Sequence, residues 1–347
     1  MSQVDKPLER FTLIRNARLD QRTTFRVPAR AAWLADVWKS SALPPLLAET
    51  AAGERPLLLL GDGSNILFTR DFEGLVIHLA TRGIEILADD GQQATVRSAA
   101  GENWDGFVRW TLAHGFSGLE NLILIPGTVG AAPIQNIGAY GAEVREFVQA
   151  VEAFDIIEQR FTRLSNAACE FAYRDSLFKR RPQRYIVTAV EFLLHRQRPM
   201  QLAYSGVRRQ LDVMGINRPT PTDLGRAIEC LRRGKLPDPT VIGNAGSFFK
   251  NPVIPIEHLK LLQRAHPDVP YHAHDHRACK LSAAWLIEAC GFKGMREGDA
   301  GVADTHALVL VNYGGADGAQ VWALAERIRN TVADRFGVSL EPEPLVI

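Results

Sequence analysis

Residues 125–143 read IPGTVGAAPIQNIGAYGAE, with four glycines, two prolines and one formal charge. The segment is too apolar for a solvated linker and too interrupted for a helix. Gly127 and Gly130 at its start, and Gly138 and Gly141 near its end, permit close backbone approach. Gln135 and Asn136 add amide donors and acceptors. Two readings stand level on the residues alone. One is a buried crossover packed tightly at its glycines. The other is a platform for a long ligand with a diphosphate and a flat ring.

Upstream, LLLL at 57–60 reads as a strand feeding GDGSN at 61–65. The turn resembles half of a dinucleotide fingerprint. The third glycine is missing, however, because position 66 is Ile, and ILFTRDFEG has no amphipathic helical pattern. A Rossmann site is therefore excluded. Gly61, Gly63, Ser64 and Asn65 can still turn several N–H groups toward one anion. A plain strand-to-strand turn is the simpler reading of GDGSN by itself.

The totals narrow the class. A chain of 347 residues suggests two or three domains, and 46% hydrophobic with 23% charged residues is ordinary globular composition. A formal charge of +1 argues against a broad nucleic-acid footprint. The start, MSQVDKPLERFTLIR, lacks a secretory h-region, and no apolar run approaches a membrane span. Cys169, Cys230, Cys279 and Cys290 form no CxxC pair, which suits a reducing cytoplasm.

Strands are expected over 75–79, 94–99, 149–154, 186–194 and 307–311. A helix over 103–114 places Trp104, Phe107, Val108, Thr111 and Leu112 on one face, with Gly115 as its stop. Thr220 caps a helix that Gly234 and Pro237 end, and Arg232 and Arg233 read as its solvated face. Helices follow over 282–290 and 319–336, so that 230–337 looks like a separate α+β domain. YHAHDH at 271–276 resembles a metal site, but His272, His274 and His276 alternate along a loop with no second ligand cluster. A solvated loop is the better reading, and no metal is expected.

Five stretches then occur in order: GDGSN (61–65), the 125–143 segment, YRDSLFK (173–179), KLPDPTVIGNAGSFFKNP (235–252) and LEPE (340–343). Together they resemble the UDP-N-acetylenolpyruvoylglucosamine reductase family, over nearly the whole chain. The resemblance implies an α+β fold: a two-part FAD-binding unit of the vanillyl-alcohol-oxidase (PCMH) type plus a C-terminal α+β substrate-binding domain. The parts would be 1–75, completed by about 338–347, then 76–228, then 229–337. FAD, bound tightly but not covalently, would lie along Gly61, Asp62, Gly63, Ser64 and Asn65. It would also lie along Ile125, Pro126, Gly127, Thr128, Gly130, Asn136, Ile137, Gly138 and Ala139.

The implied reaction belongs to peptidoglycan precursor synthesis. NADPH reduces the flavin, which passes hydride to C3 of the enolpyruvyl group on UDP-N-acetylglucosamine, and C2 takes a proton. By resemblance, Arg174 grips the substrate carboxylate, Ser247 supplies the proton and Glu343 stands beside the enolate. A guanidinium suits a carboxylate because it offers two parallel hydrogen bonds. Otherwise Arg174 would pair with Asp175, Ser247 would be a turn serine and Glu343 an exposed terminal acid. Tyr204 in LAYSG matches a loop tyrosine of the longer subtype that closes over the diphosphate. Lys235 would meet the same diphosphate, and Asn251 the substrate. A glutamine of the substrate pocket falls on His306. The chain runs only to Ile347, with Leu345 where longer members often carry arginine, which bears on how Glu343 is held. The protein is expected to act as a cytoplasmic monomer without nucleic-acid or membrane partners. Two rivals remain: a flavin oxidase of alcohols or sugars, and a non-catalytic nucleotide-sugar binder.

Overall fold

A computed structural model describes residues 11–50, 55–204 and 206–347. The reading of the N-terminus as lacking a secretory signal concerns mainly residues 1–10, outside the described set. The chain divides into two compact units. The first takes the segments up to Ala17, Ala31–Asp62 and Glu73–Arg232; the second takes Arg18–Arg30, Gly63–Phe72 and Arg233–Ile347.

The first unit contains a four-stranded sheet in the order Phe11–Arg18, Arg30–Val37, Phe72–Leu79, Leu57–Leu60. Leu57–Leu60 and Phe72–Leu79 run parallel, with Leu57 opposite Leu75. A five-stranded antiparallel sheet follows, ordered Arg160–Ser165, Val148–Asp155, Tyr185–His195, Gln93–Ala99, Ile84–Asp89. Its central strand is nearly continuous in apolar residues because both faces are buried. The exception, Glu191, is buried and held bidentately by Arg163 at 2.8 and 2.6 Å.

The helix Trp104–Ala113 buries Trp104, Phe107, Val108 and Thr111, while Leu112 remains half-exposed. Asn103 caps it, its side chain accepting from the Gly106 N–H at 2.9 Å. The Phe107 ring meets Phe192 of the central strand at a centroid distance of 4.7 Å. This helix-on-sheet core anchors the start of the glycine-rich segment: the Trp104 N–H donates to the Gly127 carbonyl and the Val129 N–H to that of Glu102.

The second unit is built on the sheet Gly243–Ser247, Val309–Asn312, Ala300–Val302, Arg296–Glu297. The helix Gly318–Phe336 buries Val321, Leu324, Ile328 and Val332. Asp317 and Gln320 form a reciprocal capping box at its start, and Gly337 ends it at φ 65°. YHAHDH forms the exposed strand Tyr271–Ala273 and the turn after it. Among the described residues, no group of three or more His, Cys, Asp or Glu is arranged to hold a metal.

Gly318 begins the long helix against the Phe68 backbone, where a Cβ would overlap the carbonyl oxygen. Gly318→Ala must therefore displace the helix or the strand-end segment, and should cost at least about 3 kcal/mol. Gly234, in the helix Pro221–Lys235, has nothing within 4 Å of an added Cβ and no positive φ. Gly234→Ala should instead stabilise by about 0.5–1 kcal/mol. Denaturant titration of the two variants checks the contrast; equal midpoints would contradict it.

Candidate active site

In the first unit, the two glycine-rich stretches lie against each other. A Cβ on Gly61 would come within 2.9 Å of Thr128 Oγ1, and one on Gly130 within 2.6 Å of the Ala100 Cβ. A Cβ on Gly138 would meet Arg174 Nη1 at 2.9 Å and the Ala142 carbonyl at 3.0 Å. The space left by these side-chain-free positions is thus filled by protein, as the tight-crossover reading expected. What the packing leaves over suits an anionic cofactor. Among the described residues, the N–H groups of Gly61, Asp62, Gly127 and Thr128 have no protein acceptor. The backbone takes positive φ at Leu124, Gly127, Asn136, Tyr140 and Gly141. Such reversals turn successive N–H groups to one side, the arrangement that receives a diphosphate. The residues present therefore fit FAD.

Asn136 is buried, and its amide is fully used by protein. Nδ2 donates to Glu143 Oε2 at 3.0 Å and to the Ala172 carbonyl at 2.9 Å, while Oδ1 accepts from the Arg145 N–H at 3.1 Å. Its backbone N–H also donates, to the Pro133 carbonyl at 3.4 Å, which leaves the backbone carbonyl for a cofactor contact. Arg174 stands at φ 53° in a turn closed by reciprocal backbone bonds between Ala172 and Asp175. Its Nη2 donates to the Gly138 carbonyl at 2.6 Å, whereas Asp175 is held by Arg180. Tyr204 is 46% exposed, and its ring meets Tyr140 edge-on at 5.0 Å.

In the second unit, Gly63 (φ 61°) backs onto Arg22 and Thr23, and its carbonyl accepts from the Thr24 N–H at 3.1 Å. Asn65 Nδ2 donates to the Glu343 carbonyl at 3.2 Å, and the Leu345 N–H donates to the Asn65 carbonyl at 3.0 Å. The Glu343 N–H donates to the Phe248 carbonyl at 2.8 Å, which sets Glu343 beside the residue that follows Ser247. Leu345–Val346 then pairs in parallel with Ile66–Leu67, and the Thr69 N–H and hydroxyl both hold the Ile347 carbonyl at 2.6 Å. Glu343 is thus fixed on both sides, by Phe248 and by Asn65, with Leu345 rather than an arginine at position 345.

Ser247 ends its strand after a register shift that begins at Asn244. Buried Asn244 rigidifies the bulge: Oδ1 accepts from the Gly246 N–H at 2.9 Å, and Nδ2 donates to the Ile242 carbonyl at 2.8 Å. Bulges of this kind re-aim a side chain. Asn251 Oδ1 accepts from the Ala283 N–H at 2.9 Å, a helix-end contact that uses one half of its amide. Lys235 is exposed at the end of its helix.

His306 is half-buried, and its Nδ1 accepts from the Leu308 N–H at 3.2 Å, placing the neutral ring's proton on Nε2. Burial, followed by Lys235 and Lys293, holds its pKa below the ordinary imidazole value of 6.5. As pH falls below that value, the unfolded chain takes up the proton before the folded one, so stability declines; above it both states are neutral. His306→Gln should therefore lose less stability than the parent between about pH 7 and pH 5. Equal losses in urea titrations at the two pH values would refute this.

Arg232 does not lie on a solvated face. It stands four residues after buried Ile228 and eight after buried Leu224 on the helix Pro221–Lys235, and its Nε is buried without a hydrogen-bond partner among the described residues. That spacing was the available signal, overridden by the usual preference of arginine for solvent.

These features define a flavin-dependent oxidoreductase: an FAD-binding domain model matches residues 41–157. The UDP-N-acetylenolpyruvoylglucosamine reductase C-terminal domain model matches residues 238–347. The UDP-N-acetylenolpyruvoylglucosamine reductase of Xylella fastidiosa (strain M12) is 51% identical over 333 residues, covering 96% of this chain and 95% of that protein. The enzyme of the same name from Xanthomonas oryzae pv. oryzae (strain PXO99A) is 51% identical over 338 residues, covering 97% of each chain. A crystal structure of the Thermus caldophilus enzyme superposes with a TM-score of 0.67 at 26% identity, over 97% of this chain and 98% of that one. The chain belongs to the UDP-N-acetylenolpyruvoylglucosamine reductase family.

Proposed function

We propose that this chain reduces UDP-N-acetylglucosamine enolpyruvate to UDP-N-acetylmuramate with NADPH, with the residue roles that follow. The residues of 61–65 and 125–139 would hold FAD, and the chemistry it would supply there is hydride transfer to C3, with NADPH as the source of the hydride. Arg174 holds the substrate carboxylate and stabilises the negative charge that develops there. The Ser247 hydroxyl delivers a proton to C2, and Glu343 orients the carboxyl region. Serine is a weak acid, so its alkoxide must be stabilised as it forms. Tyr204 and Lys235 meet the diphosphate. Asn251 reaches the substrate through its Nδ2, which has no protein hydrogen bond among the described residues. His306, as a neutral ring with its proton on Nε2, donates where a glutamine amide would.

The observation that carries this reading is the backbone bond from Glu343 to Phe248, which brings an acid from the C-terminal LEPE beside Ser247 of GNAGSFF. Residues 1–75 with 338–347, then 76–228, then 229–337 are taken as the three parts. The pairing of Leu345–Val346 with Ile66–Leu67 supports the first grouping. Among the described residues no helix is long and apolar enough to cross a membrane. Action as a cytoplasmic monomer is part of the same proposal.

The test is anaerobic. NADPH should bleach the flavin band of the purified protein, and the enolpyruvyl sugar should restore it without oxygen. Colourless protein that still bound the UDP-sugar would favour a simple binder. Bleaching by an alcohol or sugar would favour an oxidase.

A further inference from the structure

The turn that carries Arg174 is stitched to the glycine-rich segment at three alternate positions of that segment. Ser176 Oγ donates to the Ile134 carbonyl at 2.5 Å, Asn136 Nδ2 to the Ala172 carbonyl at 2.9 Å, and Arg174 Nη2 to the Gly138 carbonyl at 2.6 Å. Ser176 is fully buried. Its Oγ also accepts from the Lys179 N–H at 3.3 Å, which caps the short helix Leu177–Arg180. Leu177 and Phe178 of that helix are buried in the same core as Phe107 and Phe192. Among the described residues the Ile134 carbonyl accepts from no other donor. One hydroxyl thus joins three parts: the turn, a helix rooted in the core, and the segment at 125–143.

A guanidinium assists only where it meets the developing charge, and a misplacement of about 1 Å can cost a rate about a hundredfold. Something must therefore fix Arg174 against the segment at 136–139. Its own bond to Gly138 is a poor brace, because the same guanidinium has to fork a carboxylate. The backbone does it instead: Asn136 holds the chain two residues before Arg174, and Ser176 holds it two residues after. Between these ties the chain reverses through φ 53° at Arg174. We propose that Ser176 is a positioning residue for Arg174, its hydroxyl setting the guanidinium's place by tying the turn to the Ile134 carbonyl. This deepens the proposed function and rests on it for the role of Arg174.

Stopped-flow measurement of the two half-reactions in the holoenzyme tests this. Ser176→Ala suits the extended backbone there, at φ −159°. It should be reduced by NADPH at the parent rate and reoxidised by the enolpyruvyl sugar about tenfold to hundredfold more slowly. In an Arg174→Met background the same change should cost less than about threefold, because a residue that acts through Arg174 has nothing left to position. A binding readout stands apart from turnover. Ser176→Ala should weaken UDP-N-acetylmuramate, which carries the carboxylate, by about threefold to tenfold in calorimetric titrations. It should leave UDP-N-acetylglucosamine, which lacks the carboxylate, unchanged. Equal slowing in both backgrounds, or equal weakening of both ligands, would make Ser176 a structural hydroxyl and overturn the proposal, as would parent-like reoxidation. If Ser176→Ala does not fold, Ser176→Cys, with a weaker donor, decides by the same cycle. Slowing only where Arg174 is present supports the proposal, and parent-like reoxidation overturns it. A parent protein that the enolpyruvyl sugar cannot reoxidise defeats the functional reading and this one with it. A working parent with an unaffected Ser176 variant defeats this one alone.

Discussion

Ser247→Ala should reduce bound flavin with NADPH at the normal rate and lose turnover of the enolpyruvyl sugar by about 10²–10⁴-fold, the span for removing a positioned proton donor. The expectation rests on how rigidly Ser247 is aimed. It closes a bulged strand, paired with Val309, and the Asn244 amide holds the Gly246 N–H just before it and the Ile242 carbonyl at the start of the bulge. Gly246 sits at φ 69° with no atom within 4 Å of where a Cβ would lie. The methyl of alanine fits the same backbone, so folding should be spared while the hydroxyl is lost. Stopped-flow measurement of the two half-reactions separates the outcomes. Loss of both in equal measure would move Ser247 from proton donor to structural residue.

Arg174→Met should lower kcat/KM by about 10²–10³-fold, the usual result of removing a group aimed at developing negative charge. The backbone at Arg174 supports a role beyond bracing. A non-glycine residue at φ 53° carries strain of about 1 kcal/mol or more, held only because its surroundings fix it. Its hydrogen bond to the Gly138 carbonyl is of a kind that contributes about 1 kcal/mol. Arg174→Gly would relieve the first and lose the second, so activity should fall by far more than stability. Arg174→Lys can still reach the Gly138 carbonyl but cannot fork a carboxylate. Full activity in Arg174→Lys would mean that bracing the 138 turn was the whole role.

The local elements were legible wherever periodicity and caps agreed. The helix at 104–113, the strand at 57–60 and the long helix ending at Gly337 follow from apolar spacing and end signals. The strands Phe11–Arg18 and Arg30–Val37 gave no comparable signal, because charged residues interrupt their apolar positions. Arg232 was misread for a different reason: arginine on a helix is usually solvated, and that preference overrode the spacing it shares with Leu224 and Ile228.

The ordered motifs in the chain were enough to establish its family and hence its cofactor and reaction class, because those stretches are specific even without coordinates. Tertiary structure alone decided what Gly61 serves and how residues 345–347 and Phe248 hold Glu343. Those properties depend on atoms distant in sequence: Gly61 on Thr128, and Glu343 on Phe248 and Asn65. Propensity and periodicity act over one or two turns of chain, whereas desolvation and close packing are set by whatever the fold brings within a few ångströms.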